Sequence, residues 1–255
     1  MGFDFYIRED TWLHRFDPRV KIILAVVLMF VVLSLKSLLP IVIILSAIHA
    51  ALFSAKIPLN RFQWVWKMML PVTIMIIVLW PFFYHSGKEL IHFGILSITS
   101  GGLIEGTAMA LRICSLGFAC FILLFTTDQN QIVRGLVKMG LPYTIGLTFA
   151  ITLRYLPTFF GIIGMVIDAQ KARGLDLNTG GPVKRMRSYM PVLVAVLITG
   201  LKTSENLSNA LETRAFSVSV KKRTYFNDIR FRAADGIATV CIIGAAVLRI
   251  YTMVA

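Results

Sequence analysis

Apolar runs separated by short polar or glycine-containing segments follow one another along most of this chain. They lie at 20–35, 38–53, 68–83, 108–125, 143–167 and 233–255. A helix needs about 20 residues to cross the hydrocarbon core of a bilayer, and several runs reach that length once their flanks are added. The pattern therefore predicts an all-α integral membrane protein.

Composition supports the membrane class. Of the 255 residues, 57% are hydrophobic and only 15% are charged, whereas soluble domains carry about 25% charged residues. The formal net charge of +13 indicates basic cytoplasmic segments and contact with membrane lipids, and we expect no nucleic-acid partner. Cys114, Cys120 and Cys241 lie inside apolar runs without the spacing of a metal site, so they are predicted to be small core residues.

The distribution of Lys and Arg predicts the topology. Residues 168–232 hold 12 of the 26 basic residues, which places this stretch in the cytoplasm. If 143–167 crossed the bilayer, ten basic residues would face outward. If it stays on the cytoplasmic side, only Lys36, Lys88 and Arg249 do. We therefore predict that 143–167 packs against protein or lies in the interface, which also keeps Arg154 and Pro157 out of the hydrocarbon.

The predicted architecture has three parts. Residues 1–125 form a membrane domain with four transmembrane helices, and 126–232 form a cytoplasmic block of long helices. Residues 233–255 form a final transmembrane helix, which places the N-terminus in the cytoplasm and the C-terminus outside. Asp17 and Pro18 predict the start of the first helix, as N-cap and first helical residue. Inside the fourth span, Arg112 either reaches the outer interface or pairs with Glu105.

Two long helices are predicted in the cytoplasmic block, at about 143–173 and 188–216. Each ends in a turn of small residues around one arginine: Ala172-Arg173-Gly174 and Thr213-Arg214-Ala215. Basic residues beside a membrane usually contact lipid headgroups, so these tripeptides alone leave that interpretation open.

Small residues recur every four positions along the second of these helices, at Gly200, Ser204 and Ser208. Such a stripe lets another helix approach closely, so we infer that two helices of the block cross there. The stripe could equally serve packing alone, without transmitting any motion.

Familiar catalytic patterns are missing from the sequence. The chain has no GxxxxGK[ST] phosphate loop, and its four histidines show no HExxH spacing. The acidic residues near the cytoplasmic block show no paired spacing with a nucleophile or base, so we predict no catalytic residue, no metal site and no cofactor.

The motifs together resemble the transmembrane T component of energy-coupling factor (ECF) transporters, the EcfT/CbiQ/BioN-like family. The entry segment 12–21 resembles the segment before that family's first span, and 153–157 resembles the approach to its first arginine motif. Residues 169–174 and 210–216 resemble the two arginine motifs themselves. The second motif departs from the usual Ala-Arg-Gly because Ala215 replaces the glycine.

The resemblance implies a non-catalytic subunit in a prokaryotic plasma membrane. It implies two ABC-type ATPase partners on the cytoplasmic side and one small membrane S component that captures a vitamin or metal. Arg173 and Arg214, with their flanking residues, would then dock into the ATPases at the tips of coupling helices. A stand-alone channel or secondary carrier is the alternative, and the scarcity of acidic residues inside the spans argues against it.

Overall fold

The computed structural model describes residues 6–7, 11–35, 37–83, 89–93, 96–175, 181–214 and 216, together with Gly236, Thr239 and Gly244. The predicted final span at 233–255 therefore lies almost wholly outside the described residues. The described chain forms the helices α1 (Pro18–Ser34), α2 (Leu38–Ser54), α3 (Leu59–Phe83), α4 (Ser100–Thr126), α5 (Gln129–Lys138), α6 (Tyr143–Ala172), α7 (Pro182–Ser188) and α8 (Met190–Thr213), and the strands β1 (Glu89–Phe93) and β2 (Leu96–Thr99).

The chain divides into two compact units. The first comprises Asp4–Gly146 with Ile229–Ala255, and the second comprises Leu147–Asp228 with Met1–Phe3. The described part of the first unit contains α1 to α5 and the two strands, whereas the second contains α7, α8 and all but the start of α6. The division between the units falls inside α6. The predicted division into a membrane domain (1–125), a cytoplasmic block (126–232) and a final span (233–255) remains a prediction.

α4 is the central helix of the first unit, because α1, α2 and α3 each pack along it. Gly102, Gly106, Ala110 and Cys114 recur every four residues on its buried face. A Cβ atom at Gly106 would lie 3.1 Å from the Cβ atom of Trp80, so the missing side chain lets α3 approach closely. Cys114 is buried as predicted, but Cys120 is exposed, which corrects the prediction of a core residue there, and Cys241 lies outside the described residues.

The first helix begins as its sequence predicts. The backbone N–H of Arg19 donates to Asp17 Oδ1 at 2.9 Å, with Pro18 in the first helical turn. This bond satisfies one of the N–H groups that have no partner inside the helix. The predicted N-cap is therefore confirmed.

One end of the first unit gathers the start of α1 and the ends of α2 and α4. Lys21 is only 4% exposed, and its Nζ donates to the carbonyl oxygens of Thr126 at 2.8 Å and His14 at 3.1 Å. Trp12 Nε1 donates to Ser54 Oγ at 3.2 Å. Entry into α1 and exit from α4 therefore lie on the same side of this unit.

At the other end of α1, Arg112 caps the helix. Its Nη2 donates to the carbonyl oxygen of Leu35 at 2.6 Å, and Leu35 is the C-cap residue of α1. A guanidinium beside the carbonyl end of a helix is electrostatically favourable. The sequence left two alternatives for Arg112, the outer interface or a pair with Glu105. In the structure Arg112 contacts the turn between α1 and α2 and does not pair with Glu105.

A β-hairpin joins α3 to α4, where the sequence predicted only an outward loop. β1 and β2 are antiparallel, with Phe93 opposite Leu96 and an irregularity between Glu89 and Ile91. β2 leads directly into α4, whose N-cap Thr99 accepts a hydrogen bond from the backbone N–H of Gly102 at 3.2 Å. The fold is therefore mainly helical rather than strictly all-α.

Candidate functional site

The C-terminus of α6 is a Schellman motif with Arg173 as its cap residue. The N–H of Leu175 donates to the carbonyl of Gln170 at 3.0 Å, and the N–H of Gly174 donates to that of Lys171 at 2.9 Å. Gly174 has φ of +86°, which is the left-handed conformation that this motif requires and that glycine adopts without steric cost. The motif holds the exposed Arg173 at the C-cap position, directly after the last helical residue.

α8 ends with the same type of backbone hydrogen bond around the second arginine. Arg214 is its C-cap residue, and the N–H of Phe216 donates to the carbonyl of Leu211 at 3.0 Å. This bond has the same five-residue separation as the bond between Leu175 and Gln170, so Arg214 occupies the position in α8 that Arg173 occupies in α6. Ala215, which replaces the glycine of the first motif, lies outside the described residues.

Both arginine side chains are exposed. Within the described part of the chain, neither forms an ion pair with an acidic side chain, whereas nearby Asp168 and Lys171 pair at 3.9 Å on the surface of α6. A cation at a helix C-terminus interacts favourably with the partial negative charge there, by about 0.3–1 kcal/mol at an exposed site. Each helix therefore presents a fixed backbone end with one exposed guanidinium.

The predicted small-residue stripe on α8 meets α6 at one point in the second unit. A Cβ atom at Gly200 would lie 3.4 Å from Cε1 of Phe159, so the Phe159 ring packs against the bare backbone of α8. Gly200 and Ser204 also line a cavity of about 280 Å³ with Tyr155 and Phe159. Ser208, the third residue of the stripe, is exposed and does not line this cavity.

Sequence reasoning missed the α6 side of this contact. Ile151, Tyr155 and Phe159 all line the cavity, and their spacing of four residues places them on one helix face. That spacing was available in the sequence, but the apolar run around it hid the pattern, because most positions of α6 are hydrophobic. The bulky residues of α6 complement the small residues of α8.

No metal centre accompanies these features in the described residues, where no three His, Cys, Asp or Glu side chains group in a way that could hold an ion. His49, on α2, instead lies among aromatic rings. Its ring centroid is 4.6 Å from that of Phe118 and 4.8 Å from that of Phe62, and its Nδ1 lies 2.7 Å from the Leu45 carbonyl oxygen. These contacts are those of a half-buried side chain packed among aromatic rings.

Three of the described helices, α3, α4 and α6, are long and apolar enough to span a bilayer, judged by length and composition. α2 is a shorter apolar helix. These helices define a multi-pass helical membrane protein. Length and composition do not distinguish a spanning α6 from a cytoplasmic one, so the predicted arrangement of spans rests on the charge distribution.

Known proteins narrow this class to one family. The family of cobalt transport proteins known as CbiQ matches residues 9–226. The energy-coupling factor transporter transmembrane protein EcfT of Listeria innocua is 31% identical, over 95% of this chain and 93% of its own length. The EcfT proteins of Limosilactobacillus fermentum and Leuconostoc gelidum are 26% and 27% identical, over 96% and 95% of this chain and 95% and 93% of their own lengths.

The chain therefore belongs to the EcfT/CbiQ family, the transmembrane components of energy-coupling factor transporters. It is a multi-pass protein of a prokaryotic plasma membrane and a component of a transporter.

Proposed function

We propose that this chain transmits the ATP-driven motion of two cytoplasmic ABC-type ATPases to a small membrane S component that delivers a vitamin or a metal ion. The observation that carries the proposal is the matched ending of α6 and α8. Each helix places an exposed arginine at its cap, and the same five-residue backbone bond closes the turn beyond it. Two equivalent tips on one chain suit two equivalent partners.

The helices have the dimensions of levers. α6 has 30 residues and α8 has 24, which correspond to about 45 Å and 36 Å at 1.5 Å per residue. A guanidinium can form paired hydrogen bonds to a carboxylate or to backbone carbonyls, and its planar fork holds one geometry. An arginine at each tip would therefore anchor the helix end in a groove of an ATPase. Ala172, Gly174, Thr213 and Ala215 would shape the two turns.

The proposed topology has the N-terminus in the cytoplasm, four spans, a cytoplasmic block at 126–232 and a final span with the C-terminus outside. The contacts of Lys21 support it, because they place entry into α1 and exit from α4 on one side of the first unit. Arg15 precedes α1 and Lys56 follows α2 on that same side, and Arg134 lies in α5, which follows α4; all three are exposed. An excess of basic residues on one side indicates the cytoplasm.

The contact between Gly200 and Phe159 would join the two levers. A glycine gives the aromatic ring direct access to the α8 backbone, and Ser204 extends the same face. Packed elements transmit displacement because protein interiors are dense and do not deform continuously. We therefore propose that motion imposed at one tip reaches the other helix through this crossing, with Ser208 continuing the stripe toward Arg214.

Charge reversal at the tips tests the proposal. We expect Arg173→Glu and Arg214→Glu to reduce recovery of the ATPase subunits with the full-length chain, and to uncouple ATP hydrolysis from uptake. Removing one partner of a buried charged pair costs about 2–5 kcal/mol, or about 30- to 5,000-fold in affinity. Arg187→Glu, at an exposed site on α7 outside both arginine motifs, is the matched control.

Two results would overturn the assignment. Normal uptake in the Arg173→Glu/Arg214→Glu double variant would show that the tips do not couple. Substrate accumulation in vesicles that contain only this chain would favour the stand-alone carrier. The topology has its own test, since a single cysteine introduced as Arg173→Cys in a cysteine-free background should react with an impermeant thiol reagent only after the membrane is opened.

A further inference from the structure

A long apolar groove lies between α1 and α2 in the first unit. Its volume is about 500 Å³. Val20, Leu24 and Val31 of α1 form one wall, Ala47 and Ala51 of α2 form the other, and Ile122 of α4 closes the groove from below. The groove exists because α1 and α2 each pack on α4, with little direct packing between them.

The shape of the groove limits what can occupy it. From Val20 to Val31 the α1 wall is eleven residues long, or about 16 Å at 1.5 Å per residue. Almost all of the lining is apolar, and Lys21, the one charged residue of the lining, donates to backbone carbonyl oxygens. The groove therefore suits a long hydrocarbon chain, such as the acyl chain of a lipid.

One end of the groove has the character of a membrane interface. Trp12 lines this end and is 54% exposed, and its Nε1 donates to Ser54 Oγ at 3.2 Å. Arg15 precedes the groove-lining Phe16, and Lys56 follows the end of α2 by two residues; both are exposed. Tryptophan and basic residues together mark the headgroup level of a bilayer, and the bases attract anionic lipids.

We propose that this groove binds one acyl chain of an anionic phospholipid, whose phosphate group lies at Arg15 and Lys56. The apolar walls recognise the hydrocarbon, and the two exposed bases select the charge of the headgroup. The lipid fills the space between α1 and α2 and so completes the packing of the first unit. This proposal is independent of the docking role of Arg173 and Arg214.

Native mass spectrometry of the full-length chain in detergent tests the proposal, with phosphatidylglycerol and phosphatidylcholine as probes. We expect one phosphatidylglycerol to remain bound after detergent exchange. Ala51→Phe places a ring in the groove and should abolish this adduct. Ala50→Phe is the matched control, because Ala50 is the exposed neighbour on α2 that does not line the groove, and this variant should retain the lipid.

A second variant leaves the groove itself intact. Each basic residue near an anionic surface contributes a factor of about five in binding, so Arg15→Gln/Lys56→Gln should reduce the preference for phosphatidylglycerol over phosphatidylcholine by about 30-fold at low salt. Equal retention of the two lipids by the unsubstituted chain would overturn the proposal. So would an undiminished adduct in Ala51→Phe, or crosslinking of a photoreactive group at position 47 to another polypeptide instead of lipid.

Discussion

Replacing Lys21 with methionine removes the ammonium group that joins the start of α1 to the end of α4, while it keeps most of the apolar stem. The ammonium donates to the Thr126 carbonyl at 2.8 Å and to the His14 carbonyl at 3.1 Å. Thr126 is the last residue of α4, and its carbonyl lacks a partner within the helix. We expect the Lys21→Met variant to be less stable than the unsubstituted protein.

The magnitude follows from these two bonds. A hydrogen bond that involves a charged group contributes about 1.5–3 kcal/mol, so the pair contributes about 3–6 kcal/mol. Burying an ammonium carries a desolvation penalty that the methionine does not have, and this offsets part of the loss. The net effect on the free energy of unfolding should be about 2–4 kcal/mol. For a domain of this size that corresponds to a melting temperature about 4–16 °C lower.

Thermal unfolding of the purified chain in detergent measures this effect, with Lys67→Met as the control. Lys67 is exposed on α3, so its replacement should leave the melting temperature nearly unchanged. If Lys21→Met and Lys67→Met unfold at the same temperature, the Lys21 bonds do not stabilise the first unit, and the argument from buried charged hydrogen bonds fails.

Two glycines give further predictions. Gly174→Ala places a Cβ atom on a residue with φ of +86° and no neighbouring atom within 4 Å. It should therefore cost about 1 kcal/mol of backbone strain and weaken recovery of the ATPase subunits severalfold. The control Gly181→Ala, at φ of −66°, should have neither effect, and equal effects of the two variants would exclude strain as the cause. Gly200→Leu should displace the Phe159 ring and reduce uptake while ATPase subunits still co-purify, whereas Gly200→Ala, whose Cβ atom would lie in contact at 3.4 Å, should be nearly neutral. Unchanged uptake in Gly200→Leu would show that the crossing transmits nothing.

Several helix ends were predictable because local chemistry determines them. The helix predicted to start at about residue 143 does so, and the apolar runs that begin at residue 38 and end at residue 83 coincide with the start of α2 and the end of α3. In the last case Gly140, at φ of +119°, and Pro142 break the chain. Pro has no N–H to donate, and glycine readily adopts positive φ, so both act without tertiary context.

Other features depend on contacts between distant parts of the chain. α3 begins at Leu59, well before the apolar run that predicted it, because its first turns are amphipathic rather than uniformly apolar. The bond between Lys21 and Thr126 joins residues 105 positions apart, and the contact of Arg112 with Leu35 spans 77. No local pattern identifies such partners. The sequence predicted that Arg173 and Arg214 lie at helix ends. The backbone hydrogen bonds that the two ends share were seen only in the structure.

The central position of α4 makes its length a shared property of the whole first unit. Inserting one residue into a helix rotates everything beyond it by about 100° and advances it by 1.5 Å. In α1 such an insertion would displace a single wall of the bundle. In α4 it would turn the faces that meet α1, α2 and α3 out of alignment at once. Among the described helices of this unit, α4 is therefore the one in which an insertion or deletion would disturb the most helix–helix contacts.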